Sequence, residues 1–216
     1  KLLFCNYLYL GSSFKETADP DYSRSISKAN KSYTESFSIY MLFPLAGLNN
    51  EYLLVWTTTP WTIVANIAIA VDEKLEYSLI ENKEGKKLWV AHNTIERLIG
   101  KNTKIVKTVK GSKLTGKKYI GAFDALEAVK KASVNPLFHT VIPTDSRIMP
   151  ITTTEGTGLV HTAVSAGEED FRLGKKLGLP LISVIADDAS YLPGLGFLTG
   201  KNAKKQPELI LDYLQM

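Results

Sequence analysis

From residue 36 onward, short apolar runs separated by polar and turn residues recur along the chain. FSIYMLF (37–43), EYLLVWTT (51–58), NIAIAV (66–71), EYSLIEN (76–82) and KLWVA (87–91) begin the series. TKIVKTV (103–109), FHTVI (138–142), TGLVHTA (157–163) and LISVIA (181–186) continue it, each bounded by Gly, Asn, Pro or Asp. Their β-branched and aromatic content predicts about nine strands. The pattern changes to a helical period in four places. HNTIERLIG (92–100) sets Ile95, Leu98 and Ile99 on one face before Gly100, and FDALEAVKKA (123–132) is the second. GEEDFRLGKKLG (167–178) carries acids in its first turn and lysines in its last, matching the helix dipole at both ends, with Gly178 as its stop. KKQPELILDYLQ (204–215) predicts a final amphipathic helix with Pro207 in its first turn. Taken together, the elements predict a mainly β fold with α: a closed β-barrel core decorated by helices.

Residues 12–35 are polar, rich in Ser and Lys and poor in aliphatics. This shift divides the chain into a polar leading segment or linker (1–35) and one folded domain (36–216). No run of apolar residues is long enough to span a bilayer. KLLFCNYLYLG at the start lacks a small-residue cleavage site and an extended basic region, so it is not read as a signal peptide. Cys5 is the single cysteine of 216 residues, which excludes an internal disulfide and fits a reducing, cytoplasmic setting. The charge, 26 Lys and Arg against 22 Asp and Glu, is mildly basic and compatible with a nucleic-acid partner. Lys101, Lys104, Lys107, Lys110, Lys113, Lys117 and Lys118 cluster, either as the solvated face of a β-hairpin or as a phosphate-tracking patch.

Two segments carry candidate chemistry. In WTTTPWT (56–62) an apolar strand delivers Thr57, Thr58 and Thr59 to its end, where Pro60 forces a turn. Hydroxyls at a strand end either complete the structure locally or hold a water or a ligand hydroxyl. In GTGLVHTAVSAGEEDF (156–171), Gly156 and Gly158 mark a tight turn into a strand bearing His161. Gly167 then opens a helix whose first turn holds Glu168, Glu169 and Asp170. A carboxylate there is expected to stay ionised beside the helix N–H groups and to receive a protonated amino group. His161 is a core histidine, or it orients water, bonds a substrate carbonyl or acts as a base.

Other chemistries lack their signatures. His92 and His139 have no sequence partners, and no HExxH or CxxC spacing exists, so no metal site is expected. No GxSxG marks a serine nucleophile, and no GxGxxG or GxxxxGK[ST] marks a nucleotide phosphate cradle.

At these two segments the chain resembles the connective-peptide editing domains of class I aminoacyl-tRNA synthetases for branched aliphatic amino acids. EYLLVWTTTPWTIVANIAIAV (51–71) is similar to their threonine-rich stretch, and Thr59 with Trp61 matches the isoleucyl form; the valyl and leucyl forms carry an arginine in the third position. EGTGLVHTAVSAGEEDF (155–171) is similar to GTGxVHxAPxxGxxDY, with His161 and Asp170 at the family's nine-residue spacing. GSKLTGKKY (111–119) resembles a turn of the same domains, and the likeness covers roughly residues 36–190. The chain departs from the pattern at Val164, Ser165 and Ala166, where the family has a proline and its loop, and at Ile63-Val64, where it has Leu-Pro. No HIGH-like or KMSKS-like signature is present, so ATP binding would belong to a full-length enzyme only.

The resemblance implies the editing-domain fold and hydrolysis of the valyl ester on the 3′ end of the isoleucine tRNA. It needs no cofactor, and its partners are that tRNA and the remaining synthetase domains, without a membrane. Asp170 is expected to bind the α-ammonium group. Thr57, Thr58 and Thr59 are expected to hold the terminal adenosine and the attacking water, and His161 to contact the substrate. Trp61, Thr62, Asn66, Gly158, Val160, Ala163 and Gly167 complete the expected substrate-binding set. Two further readings keep the fold: a non-catalytic module for the tRNA acceptor end, and a freestanding trans-editing deacylase.

Overall fold

A computed structural model describes residues 39–206 and 208–215. The leading segment 1–35 with Cys5, the first two residues of the 37–43 run, and Pro207 lie outside them.

Among the described residues, eight strands form two mixed sheets. The first holds β1 (Ile39–Pro44), β2 (Glu51–Thr57), β4 (Glu76–Glu81), β5 (Lys87–Ala91) and β6 (Lys104–Lys110), in the order β1-β2-β5-β4-β6. The second has β3 (Ala68–Val71) at its centre, between β7 (Thr140–Pro143), parallel to it, and β8 (Val160–Thr162), antiparallel to it. The short α-helices are α1 (Ile95–Leu98), α2 (Glu127–Ala132), α3 (Glu168–Leu177) and α4 (Glu208–Gln215).

The unbroken apolar run LLVW within β2 follows from burial on both faces of the first sheet. Met41, Phe43, Leu53, Val55, Tyr77, Leu79 and Trp89 turn into the main core, while Leu42, Leu54, Ile80, Leu88 and Val90 pack under Ile95 and Leu98 of α1. Trp89 is 2% exposed, and its indole N–H donates to Glu51 Oε2 (3.2 Å). Burial of such a ring stabilises the fold by about 2–3 kcal/mol. All four residues of β3 are fully buried, as suits a strand flanked on both edges.

The expected closed barrel is not found among the described pairings, which leave two open sheets. Single bridges join them: Leu45 pairs with Tyr119, and Lys118 with Thr140 of β7. At the other side Ala91 N–H donates to Thr157 O (2.9 Å), just before β8. Eight of the nine expected strands form. LISVIA (181–186) contributes only an isolated bridge, Ile185 to Tyr191, and exposes Leu181 and Ser183. The helix expected over 123–132 begins only at Glu127, because residues 123–126 form turns closed by Leu126 N–H to Phe123 O (3.0 Å). Residues 92–94 form a 3₁₀ turn ahead of the single turn of α1.

Three lysines of the cluster, Lys104, Lys107 and Lys110, lie on β6, at the sheet edge. Lysines three apart cannot share a face of a regular strand, whose period is two. A bulge opposite Leu79/Ile80 adds one residue and brings Lys104 and Lys107 to the same face. Lys104 then meets Glu81 (2.7 Å), Lys110 meets Glu76 (3.3 Å), and Lys107 lies 3.9 Å from Glu51 and over the Trp89 ring. Lys118 donates to Pro136 O and Phe138 O. Each of the three β6 lysines is therefore paired with an acid of its own sheet.

Candidate functional site

β2 ends at Thr57, and Pro60 opens a 3₁₀ helix, Pro60–Ala65, that turns the chain over the second sheet. The threonines bond to one another across this turn. Thr59 N–H donates to Thr57 Oγ1 (3.1 Å), and Thr59 Oγ1 lies 3.3 Å from both Thr57 Oγ1 and Thr62 Oγ1. Thr62 Oγ1 donates to Thr59 O (2.8 Å) and lies 3.0 Å from His161 Nε2. Thr58 is exposed and stands outside this set.

His161 pairs with Ile69 across β3 and β8, so its ring reaches the 3₁₀ helix from beneath. Asn66 Nδ2 donates to Ala68 O (3.0 Å) and to His161 Nδ1 (2.9 Å). Since an amide nitrogen only donates, Nδ1 is the acceptor and the proton sits on Nε2, which donates to Thr62 Oγ1. Both ring nitrogens are thus engaged by protein groups. Burial pushes the imidazole down from its ordinary 6.5 to about 4, so it is neutral at pH 7. As a free base or direct donor to substrate it would first have to give up one of these bonds; as it stands, it orders the threonines.

This depression has a consequence for stability. The folded value lies below the unfolded one, so the contribution is complete above pH 6.5 and is lost as pH falls towards about 4. The expected loss is about 3 kcal/mol. It is read as a urea midpoint that falls more steeply across this window in the wild type than in His161→Gln. Parallel slopes would refute it.

Asp170 sits in the first turn of α3, behind the N-cap Gly167. Its Oδ1 accepts the N–H of Ala163 (2.9 Å), two residues beyond His161, and a side chain on Gly167 would strike Oδ2. Burial raises the carboxyl, against the lowering by the backbone N–H groups of Ala163 and Asp170 itself, and Glu169 adds to the rise. Burial therefore opposes the helix end, and the carboxyl stands above its ordinary value. A cation at Oδ2 would favour the ionised form.

The remaining expected residues frame these two groups. Gly158 has φ +75° and packs against Ala91, and its carbonyl accepts the Tyr77 hydroxyl (2.8 Å). Trp61 and Val160 are half-buried at the core edge. Beside Gly167 an open depression of about 490 Å³ is floored by Val164 and Ser165, with Phe171 and Leu181 on its walls. It is built partly from the loop positions where the chain departs from the editing-domain motif.

Sequence reasoning missed the residues behind the site. Tyr119 donates to Asn66 Oδ1 (2.6 Å). His139, at φ +48°, stacks on Tyr119 (4.8 Å), and its Nδ1 lies 3.3 Å from Asp124 Oδ1. His92 also has a partner, Ser78 Oγ at 2.8 Å. Ser78 is fully buried and also bonds Thr108, so no substrate carbonyl reaches this serine–histidine pair. Only Tyr119 had a signal, as the last residue of the GSKLTGKKY turn. Among the described residues no His, Cys, Asp and Glu group could hold a metal, and no helix is long and apolar enough to cross a membrane.

No family model matches the chain. It is 41% identical over 169 residues to the isoleucine–tRNA ligase of Methanocaldococcus jannaschii, which covers 73% of this chain and 16% of the relative. To that of Clostridium novyi it is 33% identical over 193 residues, 89% of this chain and 17% of the relative. The chain thus spans a small part of the length of these relatives. The solved structure of a leucyl-tRNA synthetase CP1 domain, GlLeuRS-CP1, superposes with a TM-score of 0.55 at 15% identity, over 82% of this chain and 95% of that one. That likeness shows a shared fold.

Proposed function

This chain is homologous to the isoleucine–tRNA ligases and is an editing domain of the class I synthetase kind; from that premise we propose that it hydrolyses valine from the 3′ end of mischarged isoleucine tRNA. The observation that carries the reading is the contact between Thr62 and His161 (3.0 Å). It ties the threonine turn to the strand whose continuation, at Ala163, is bonded to Asp170. A substrate lying across this strand meets hydroxyls on one side and a carboxyl on the other. Asp170 Oδ2 receives the α-ammonium group. Thr57 and Thr59 hold the ribose and the attacking water, and Thr58 approaches from the exposed rim. Thr59, together with Trp61 and Val160, also limits the side chain that fits. An aminoacyl ester is already activated, so positioned water and stabilisation of the developing oxyanion supply the rate without a strong base.

Editing is needed because one methylene is worth only ~1–3 kcal/mol in a binding pocket, so a site built for isoleucine admits valine. A second, smaller site sorts in the opposite sense. The tRNA acceptor end and the remaining domains of a synthetase are its partners, and the lone cysteine favours the cytoplasm. We read the two sheets as arcs of the barrel expected of this domain class, continued through the bridges at Leu45–Tyr119 and Lys118–Thr140.

The test uses the natural full-length protein with isoleucine tRNA charged with either amino acid. Valine is released and isoleucine retained; equal or absent release of both would sink the reading. Thr59→Ala, which widens the pocket, lowers the valine preference by roughly tenfold. An unchanged preference would place the wall elsewhere. A non-catalytic acceptor-end module is favoured by one observation, that both nitrogens of His161 are taken, and absent release together with tRNA binding would establish it.

A further inference from the structure

The threonine hydroxyls can donate in more than one direction, and a water held among them is useful only if that direction is set. Thr62 Oγ1 has one hydrogen, given to Thr59 O (2.8 Å), so towards His161 it must accept. That requires the proton on Nε2 and a bare Nδ1, which in turn requires the Asn66 amide to present its nitrogen to the ring. A reversed amide would set Oδ1 against the Ala68 carbonyl, acceptor on acceptor, and would turn Nδ2 towards the Tyr119 oxygen. In the observed orientation Tyr119 donates to Oδ1 at 2.6 Å. The phenol is fully able to hold this role, because burial, assisted by the nearby Asp124 charge, keeps it protonated well above the ordinary tyrosine range. Its ring is clamped edge-on by Phe43 (5.3 Å) and stacked on His139 (4.8 Å), so the hydroxyl cannot swing away.

We infer that Tyr119 is a positioning residue of the site: by donating to Asn66 Oδ1 it fixes His161 as the Nε2–H tautomer and so sets the direction in which the Thr57–Thr59–Thr62 hydroxyls donate. With Nε2–H given to Thr62, the free lone pair of Thr62 Oγ1 accepts from Thr59, and the lone pairs of Thr59 Oγ1 turn towards Thr57 and the site. The chain of bonds runs from Tyr119 through Asn66, His161 and Thr62 to Thr59. It crosses from the turn after β6 to the end of β2 through the buried interior. Its functional half rests on the editing reading above; its tautomer half does not.

The chain has three histidines, so ¹⁵N-imidazole spectra resolve them individually. In the unmutated chain His161 shows a bare Nδ1 and a protonated Nε2; a protonated Nδ1 overturns the inference without any variant. Tyr119→Phe keeps both ring contacts and removes only the hydroxyl. It is expected to give mixed His161 tautomers and to lower kcat for valyl-tRNA release about tenfold in the full-length protein, with KM unchanged. Asn66→Ser, which removes the amide between the two rings, reproduces the tautomer mixing if Tyr119→Phe does not fold. An unaltered tautomer in the variant that folds, or mixed tautomers with unaltered kcat, overturns the positioning role. If the unmutated protein releases no valine, the editing reading fails while the spectra still decide the tautomer.

Discussion

Asp170→Asn is expected to lower kcat/KM for release of valine from mischarged tRNA by on the order of 100- to 1000-fold while leaving the fold intact. The asparagine oxygen can still accept the Ala163 N–H that Oδ1 accepts (2.9 Å), so the junction of β8 and α3 survives. What disappears is the negative charge opposite the α-ammonium group. Truncating one member of a desolvated charge pair costs about 2–5 kcal/mol, a range that brackets the factor quoted. Because burial already raises the carboxyl, the neutral amide costs the free protein nothing in desolvation, and its urea midpoint should equal or exceed that of the wild type. Asp170→Ala is the less selective variant, since it also orphans the Ala163 N–H. Steady-state deacylation with both variants checks the assignment. Undiminished release in Asp170→Asn would remove Asp170 from the site.

The second large effect is on stability. Gly158→Ala places a Cβ 2.4 Å from the Ala91 Cβ, at a backbone φ of +75°. The left-handed conformation costs an L-residue about 1–2 kcal/mol, and overpacking against a strand that cannot yield adds about 1–3 kcal/mol. For a domain of this size the sum corresponds to a fall in Tm of about 10 °C. Gly85→Ala is the control, because φ is +76° there but nothing lies within 4 Å. It should show the conformational cost alone, and calorimetry on the pair isolates the steric part. Equal shifts in the two variants would mean that the turn before β8 moves aside freely.

The difference between these glycines illustrates what the sequence could and could not convey. Gly156 and Gly158 were legible as a turn, yet the closeness of Ala91 depends on a contact 67 positions away in the chain. Local signals served well where the cause is local. Glu168, Glu169 and Asp170 at one end of α3, and Lys175 and Lys176 before Gly178 at φ 72°, set its limits as expected. Pro60 stopped β2 and opened a 3₁₀ helix. The sequence predicted a closed barrel where the described pairings leave two sheets, because the joins between them rest on single bridges at Leu45, Tyr119 and Lys118, which carry no periodicity. The two key segments were visible as threonines, a histidine and an aspartate. The state of His161 was not, because it depends on Asn66, 95 positions away, and on Tyr119 behind it.

The bulge in β6 has one more consequence, for how the domain meets its neighbours. An edge strand offers unpaired N–H and C=O groups to any extended chain that approaches. Here the inserted residue interrupts the regular spacing of those groups opposite Leu79/Ile80, and Lys104 and Lys107 are gathered on one side of the same stretch. A second strand laid along it would lose register at the bulge, and another copy would bring its own lysines against these. The first sheet therefore ends at β6 as a boundary that discourages growth, although Ile105 and Val106 are exposed there.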